Sequence, residues 1–307
     1  MNSVRMPVDT TLNPVNREVG RGEQKRAREW VVILRTTLAL NRTRWGLALF
    51  LFVLAIAVAG PLAAPYSSTQ IIGRPFAPPS GRALLGTEYL GRDVLSRVLT
   101  GGLTVFSLSL AATLVGMLLG AGLGLIAAYS SKWVDEVIMR LLDVVMAFPM
   151  IVFALLIVSI AGPKLYLIVL AVGIGHAPRI GRVARGAALE IVNLDYVKFA
   201  EALGVPRRRI LVGDLLPNVS SPLLVEAGLR FAYSIAIIAA LSFLGFGLQP
   251  PAADWGLMVN ENRIGVVIQP YAVLAPIVLI SLLTVGTCLI TDGLSRAIIG
   301  IDRRTES

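Results

Sequence analysis

Six stretches of this 307-residue chain are long and nearly free of charge: residues 45–64, 103–129, 137–160, 165–183, 223–246 and 271–294. Each approaches or exceeds the ~20 residues that an α-helix needs to cross a bilayer. Hydrocarbon offers no partner for backbone N–H and C=O groups, and a helix satisfies them within one segment. The runs therefore predict an all-α integral membrane protein with about six transmembrane helices. The fourth run is interrupted near its end by Pro178, Arg179 and Arg182, and reads as a short helix continuing into the cytoplasm. The first run ends in small residues that mimic a signal-peptidase site, but it and its leading tail are too long for a signal peptide. It reads as an uncleaved first span.

Composition supports the membrane reading. Hydrophobic residues make up 55% and charged residues 15%, against about 25% charged in soluble domains. The formal net charge is +9. Its basic residues flank apolar runs rather than interleaving with aromatics, so they act as topology determinants and do not mark a nucleic-acid site. The single cysteine, Cys288, excludes a disulfide within the chain, and no metal cluster is expected. His176 lies near the end of a span and reads as a packed or interfacial histidine. Neither HExxH nor GxSxG occurs, so an intramembrane enzyme has no support. An ATP-independent secondary transporter stays open as an alternative, although no repeat relates the two halves.

Residues 1–44 form a basic tail, partly disordered, with an amphipathic interfacial helix expected over 23–40. Residues 45–301 form the transmembrane domain, and 302–307 a short tail. Lys and Arg placement favours cytoplasmic N- and C-termini. The outward segment 65–102 blurs that asymmetry by carrying Arg74, Arg82, Arg92 and Arg97. In the second span Gly116, Gly120 and Gly124 recur every four residues, a smooth stripe for close helix packing. The string GAGLG in this run follows no strand and is not a nucleotide loop.

Segment 195–218, DYVKFAEALGVPRRRILVGDLLPN, is polar and basic between two apolar runs. Asp195 is a candidate N-cap for a helix over 196–203. Gly204 stops that helix in the left-handed region. Pro206 opens a second short helix over 207–215, and Pro217 separates it from the next span. Val197, Ala200 and Leu203 share one apolar face. Such a helix fits a groove on a soluble partner or lies on lipid with its arginines on phosphates; spacing alone leaves both open.

Three segments carry a family resemblance. The segment around Gly204 resembles the EAA loop of permeases of bacterial ABC importers, in its Ala200, Gly204, Leu216 and Pro217. Lys198, Phe199 and Asp214 depart from the pattern. Residues 85–97, LGTEYLGRDVLSR, and 241–260, LSFLGFGLQPPAADWGLMVN, are similar to segments of dipeptide and oligopeptide permeases of the C type. The resemblance spans roughly residues 41–301 and implies the type I ABC importer permease fold with a cytoplasmic coupling helix. It also implies one half of a peptide translocation pathway, with nickel chelates, glutathione or other small cargo as alternatives. The implied partners are a B-type permease subunit, two ATP-binding subunits, an extracytoplasmic substrate-binding protein and membrane lipid. This chain lacks a GxxxxGK[ST] loop, so ATP and Mg are expected on the partner subunits, with no cofactor and no catalytic residue here. Carried over by position, the ATPase-coupling contact falls on Ala200, Glu201, Ala202, Leu203, Gly204, Val205 and Pro206. Leu216, Pro217 and Asn218 frame the loop.

Charges in or near spans mark either paired structural groups or a gate. Asp143, Glu226 and Arg230 are the candidates, all expected near the cytoplasmic side, with Glu226 and Arg230 paired at i and i+4. In the outward segments, 85–97 reads as an amphipathic helix with Leu90, Val94 and Val98 in register, and 249–255 as a Pro-rich turn with a Trp anchor. Tyr89, Arg92, Asp93 and Trp255 are the candidates there for contact with a binding protein, or for simple capping of the spans.

Overall fold

The computed structural model describes residues 31–305, with side chains through residue 300. The disordered stretch and residues 23–30 of the interfacial helix expected in the tail lie outside the described residues. Residues 31–39 are helical (α1), and a bend at Leu40 leads into α2, Asn41–Ala63. There follow α3 (Val94–Thr100), α4 (Gly102–Ala128), α5 (Lys132–Met146), α6 (Met150–Ala161) and α7 (Leu165–Val192). The short α8 (Asp195–Ala202), α9 (Arg207–Arg209) and α10 (Leu216–Asn218) precede α11 (Ser220–Phe243), α12 (Trp255–Asn262) and α13 (Tyr271–Thr305). Among the described residues five helices are long and apolar enough to cross a membrane, or six if α5 and α6, bent by 84° at their break, are counted together as one span.

That bend divides the third run, 137–160, which reads in sequence as one span. Pro149 cannot donate a backbone hydrogen bond, and the residue before a proline is steered out of the helical region. The chain accordingly breaks between Met146 and Met150. The fourth span differs in the other direction. Helix α7 runs unbroken for 28 residues through Pro178, because its neighbours hold it by packing where a backbone hydrogen bond is lost. His176 is thus not near a span end. It lies deep within α7, fully buried.

The glycine stripe works as its spacing predicts. Helices α4 and α7 run parallel and make the most extensive helix–helix contact. Gly116 faces Gly173, Gly120 faces Ala177 and Gly124 faces Gly181, a constant offset over three successive close approaches. A Cβ on Gly120 would stand 2.6 Å from both the Ala177 carbonyl oxygen and the Ile180 Cβ. Only glycine admits backbones that close, the usual basis of association between helices in lipid. On the other side of the bundle α2 packs antiparallel to α13, with Gly46 against Leu289 and Gly286 against Phe50.

At one end the bundle is closed by residues 64–93, α3 and α12. The segment 85–97 corrects the amphipathic-helix expectation: residues 86–93 form turns and isolated bridges, Ile71 to Arg92 and Thr87 to Asp93, and helix begins only at Val94. Asp93 is the N-cap of α3, accepting from the Ser96 backbone N–H at 2.8 Å. Asp254 plays the same part for α12 through Leu257 N–H at 3.0 Å.

Candidate functional site

The segment after α7 lies at the opposite end of the bundle. Leu194, not Asp195, is the N-cap of α8, and Asp195 is its first helical residue. Gly204 adopts φ +73°. The Gly204 N–H donates to the Glu201 carbonyl and the Val205 N–H to the Ala200 carbonyl, the paired bonds of a Schellman stop. A second correction concerns the next helix. Only residues 207–209 are α-helical, followed by a π-helical turn over Ile210–Leu215. Pro217 sits within α10, and the break before α11 falls at Val219. The wider turn lets both Ile210 and Leu215 point inward, where each is fully buried.

The face expected on α8 is divided by tertiary packing. Val197 is completely buried, while Ala200 and Val205 are partly so; they pack with Ile210, Leu215 and Val219 against Leu125 of α4 and Ala184 and Ala188 of α7. Burying a valine this way is worth about 1.5–3 kcal/mol. Leu203 points away and is 68% exposed, joined by Phe199 at 65% and by Tyr196. The outward ridge is therefore Tyr196, Phe199 and Leu203, at i, i+3 and i+7. Ala200 faces inward, and Phe199, which departs from the EAA pattern, supplies much of the exposed apolar surface. Glu201 and Ala202 are exposed, as is Pro206. Glu201 accepts from the Tyr129 phenol just past α4; burial and this carboxylate push the phenol pKa up to about 12, so it stays a donor. In the frame, Asn218 Nδ2 donates to the Asp214 carbonyl at 2.6 Å.

A second polar locus lies inside the bundle. Arg230 Nε stands 2.7 Å from Glu226 Oε1, as an ion pair whose angle is too oblique for a hydrogen bond. Both side chains are buried, and the guanidinium sits 5.0 Å from the Tyr233 ring centroid. The pairing follows the i, i+4 expectation, but its depth does not. Arg230 is ten residues into the 24-residue α11, about 15 Å at 1.5 Å per residue, and so close to mid-helix. Asp143 does not join this pair; it meets Arg182 at 2.5 Å, half-exposed. His176 Nε2 and Ser234 Oγ are 2.9 Å apart.

The capping end holds charges that sequence reading took one at a time. Arg92 Nε meets Glu88 Oε1 at 2.5 Å, and Arg97 Nη2 meets Glu261 Oε2 at 2.9 Å. Arg97 Nη1 approaches Glu88 at 3.4 Å, and Arg92 Nη2 approaches Glu261 at 3.6 Å. Two arginines and two glutamates thus form a buried, charge-balanced network, which neutralises two of the four arginines that blur the Lys/Arg asymmetry. Burial raises the Glu261 pKa above the usual carboxylate range, partly offset by Arg97. Arg92 and Asp93 are buried, and Trp255 is wholly enclosed with Nε1 donating to the Val98 carbonyl at 2.8 Å. Of the four residues expected to face a binding protein, only Tyr89 keeps partial exposure, its hydroxyl donating to Glu261 at 3.1 Å. Glu261 lies beyond the segments singled out by motif, and only the excess of arginine at 92 and 97 hinted at its role.

Long apolar helices, a glycine-packed pair and a structured polar segment at one end define a multi-pass membrane protein. Residues 116–300 match the model of the binding-protein-dependent transport system inner membrane component, and the chain belongs to that family. It is 39% identical over 220 residues to the glutathione transport system permease protein GsiD of Pectobacterium atrosepticum, covering 72% of this chain and 73% of that one. It is 34% identical to the dipeptide transport system permease protein DppC of Alkalihalophilus pseudofirmus, covering 82% and 84%. It is also 36% identical to the di/tripeptide transport system permease protein DppC of Pseudomonas aeruginosa, covering 82% and 86%. The fold resembles a chain of the MetNI methionine ABC transporter in inward-facing conformations, with TM-score 0.50 and 16% identity, covering 66% of this chain and 96% of that one.

Proposed function

We propose that this chain forms half of the translocation pathway of an ATP-driven importer of short peptides, with α8 as its coupling helix. The supporting observation is the two-sided packing of α8. One face is sealed against α4 and α7 through Val197, and the other presents Phe199 and Leu203 to whatever lies beyond the bundle. An apolar ridge of this kind fits a groove on a soluble partner. Closure of two partner ATPases, which carry ATP and Mg, would push on the ridge. The push passes to the ends of α4 and α7 because Val197, Ile210, Leu215 and Val219 pack in one cluster with Leu125, Ala184 and Ala188. The glycine register then obliges α4 and α7 to move together, and α7 carries His176 and Arg179. In this reading the α8 end and both termini are cytoplasmic. A B-type permease completes the pathway, and a substrate-binding protein approaches the end closed by α3 and α12. Peptide cargo is favoured because the relatives are named for glutathione, dipeptide and di/tripeptide transport, all peptide chemistry.

The test is Leu203→Asp together with Phe199→Ser in the transporter assembled from all its subunits. Neither side chain supports the bundle, so the chain should fold and insert normally. Peptide uptake and cargo-stimulated ATP hydrolysis should both fall by at least about tenfold, as when hot-spot contacts are removed. Parental values for both would end the coupling assignment.

A further inference from the structure

Where α5 breaks from α6, a cavity of about 430 Å³ opens toward α7 and α11, lined among others by Phe148, Met150, His176, Arg179, Arg230 and Tyr233. That volume lies in the range of small-molecule sites. We propose that this cavity is a binding station for a carboxylate-bearing cargo, with Arg179 as the group that recognises the anion. The proposal rests on the reading of the chain as a permease for short peptides, whose C-termini carry that carboxylate.

Three observations carry it. The cavity lies at mid-helix: Arg179 is fourteen residues into the 28-residue α7, about 21 Å along it, and its side chain is exposed along the cavity rather than packed in the core. An ionisable side chain at such depth is costly unless it serves a polar path. The cavity also has a surplus of positive charge. Arg230 is paired with Glu226, and its guanidinium is held against Tyr233. Arg179 has no carboxylate within 4.0 Å among the described residues, and no Asp or Glu lines the cavity. Finally, His176 is fully buried, and its Nδ1 has no hydrogen-bond partner among the described residues. An incoming carboxylate neutralises Arg179, with Arg230 placed to add a charge-assisted hydrogen bond. Phe148 and Met150 offer an apolar wall for the rest of a small molecule.

The experiment compares trialanine with trialanine amide in the complete transporter in proteoliposomes, at saturating binding protein. Arg179→Gln should lower maximal trialanine uptake by about tenfold to a hundredfold, the range for losing a charge-assisted hydrogen bond. Arg179→Lys should recover part of it. The amide lacks the anion, so the Gln variant should move it as well as the parent does. Taking variant over parent for each peptide cancels selection by the binding protein. Equal loss for both peptides, or no loss for either, overturns the station. If the parent moves neither peptide, the cargo reading fails, and the station is judged by thermal unfolding of the purified full chain in detergent. Glutarate should then raise the midpoint of the parent but not of Arg179→Gln. No shift, or a shift produced only by added phosphatidylglycerol, would show a lipid site or none and overturn it.

Discussion

Gly120→Ala and Gly122→Ala add the same methyl group one half-turn apart on α4, yet they should act in opposite directions. At Gly120 the new Cβ would stand 2.6 Å from the Ala177 carbonyl oxygen and from Ile180 Cβ. Ordinary carbon–oxygen contacts begin near 3.3 Å, so α4 and α7 must part by about 0.7 Å. A gap of that size forfeits roughly a quarter to a half of each neighbouring dispersion contact. Since the register repeats at Gly116 and Gly124, the loss is shared along the interface. Overpacking of this kind costs about 1–3 kcal/mol. At Gly122 nothing lies within 4 Å of the added Cβ. Both changes gain about 1 kcal/mol of helix propensity, so the difference between them isolates the packing cost. Reversible unfolding of the full chain in mixed detergent–SDS micelles, followed by helical circular dichroism, should place Gly120→Ala about 1–3 kcal/mol below Gly122→Ala. Equal stability for the two variants would refute the close parallel packing of α4 on α7.

Other outcomes follow from the same geometry. At Gly204, φ is +73° and no atom crowds a Cβ, so substitutions are graded by backbone conformation alone. Asn should retain coupled uptake, while Val, at about 1–2 kcal/mol of left-handed strain, should lower uptake and cargo-stimulated ATP hydrolysis together; parental coupling in the Val variant would count against the Schellman stop as a functional element. Glu226→Gln leaves Arg230 buried without its counter-charge and should cost about 3–5 kcal/mol, whereas the double change with Arg230→Met should cost less than the sum of the singles; additive losses in a chemical unfolding series would mean the two do not interact. Burial raises the Asp254 pKa above its ordinary 3.8. The folded state therefore holds that proton more tightly than the unfolded chain, and stability falls as pH rises from the ordinary value through the raised one. Asp254→Asn should flatten that part of a plot of melting temperature against pH, and an unchanged slope would show that Asp254 is not its source.

Much of the site was legible wherever one residue type acts locally. Gly204 reads as a left-handed stop because backbone sterics at one residue decide it. Glu226 and Arg230 read as a pair because four residues bring side chains to one face of a helix. The glycine stripe reads as a contact face for the same reason, although its partner on α7 could not be named. Direction and depth were not legible. Val197 and Leu203 are both apolar and lie on one short helix, but only the ends of α4 and α7 decide that Val197 is buried and Leu203 is not. Arg92, Asp93 and Trp255 look like surface groups of an outward loop. They are interior because Glu88 and Glu261, 173 residues apart in the chain, converge on the arginines, and because Gly102 leaves room for the indole.

The sequence by itself determined that this chain spans a membrane as helices. That follows from unbroken apolar length and the demand that every backbone polar group be satisfied within its own segment, a property of neighbours in the chain. Three aligned motifs added the family. Only the tertiary structure decided where the spans bend, which side of α8 faces outward, and that His176, Arg179 and Arg230 meet around one cavity. Those outcomes depend on helices distant in sequence competing for the same space, and a side chain's orientation is set by the surface it meets rather than by its own chemistry.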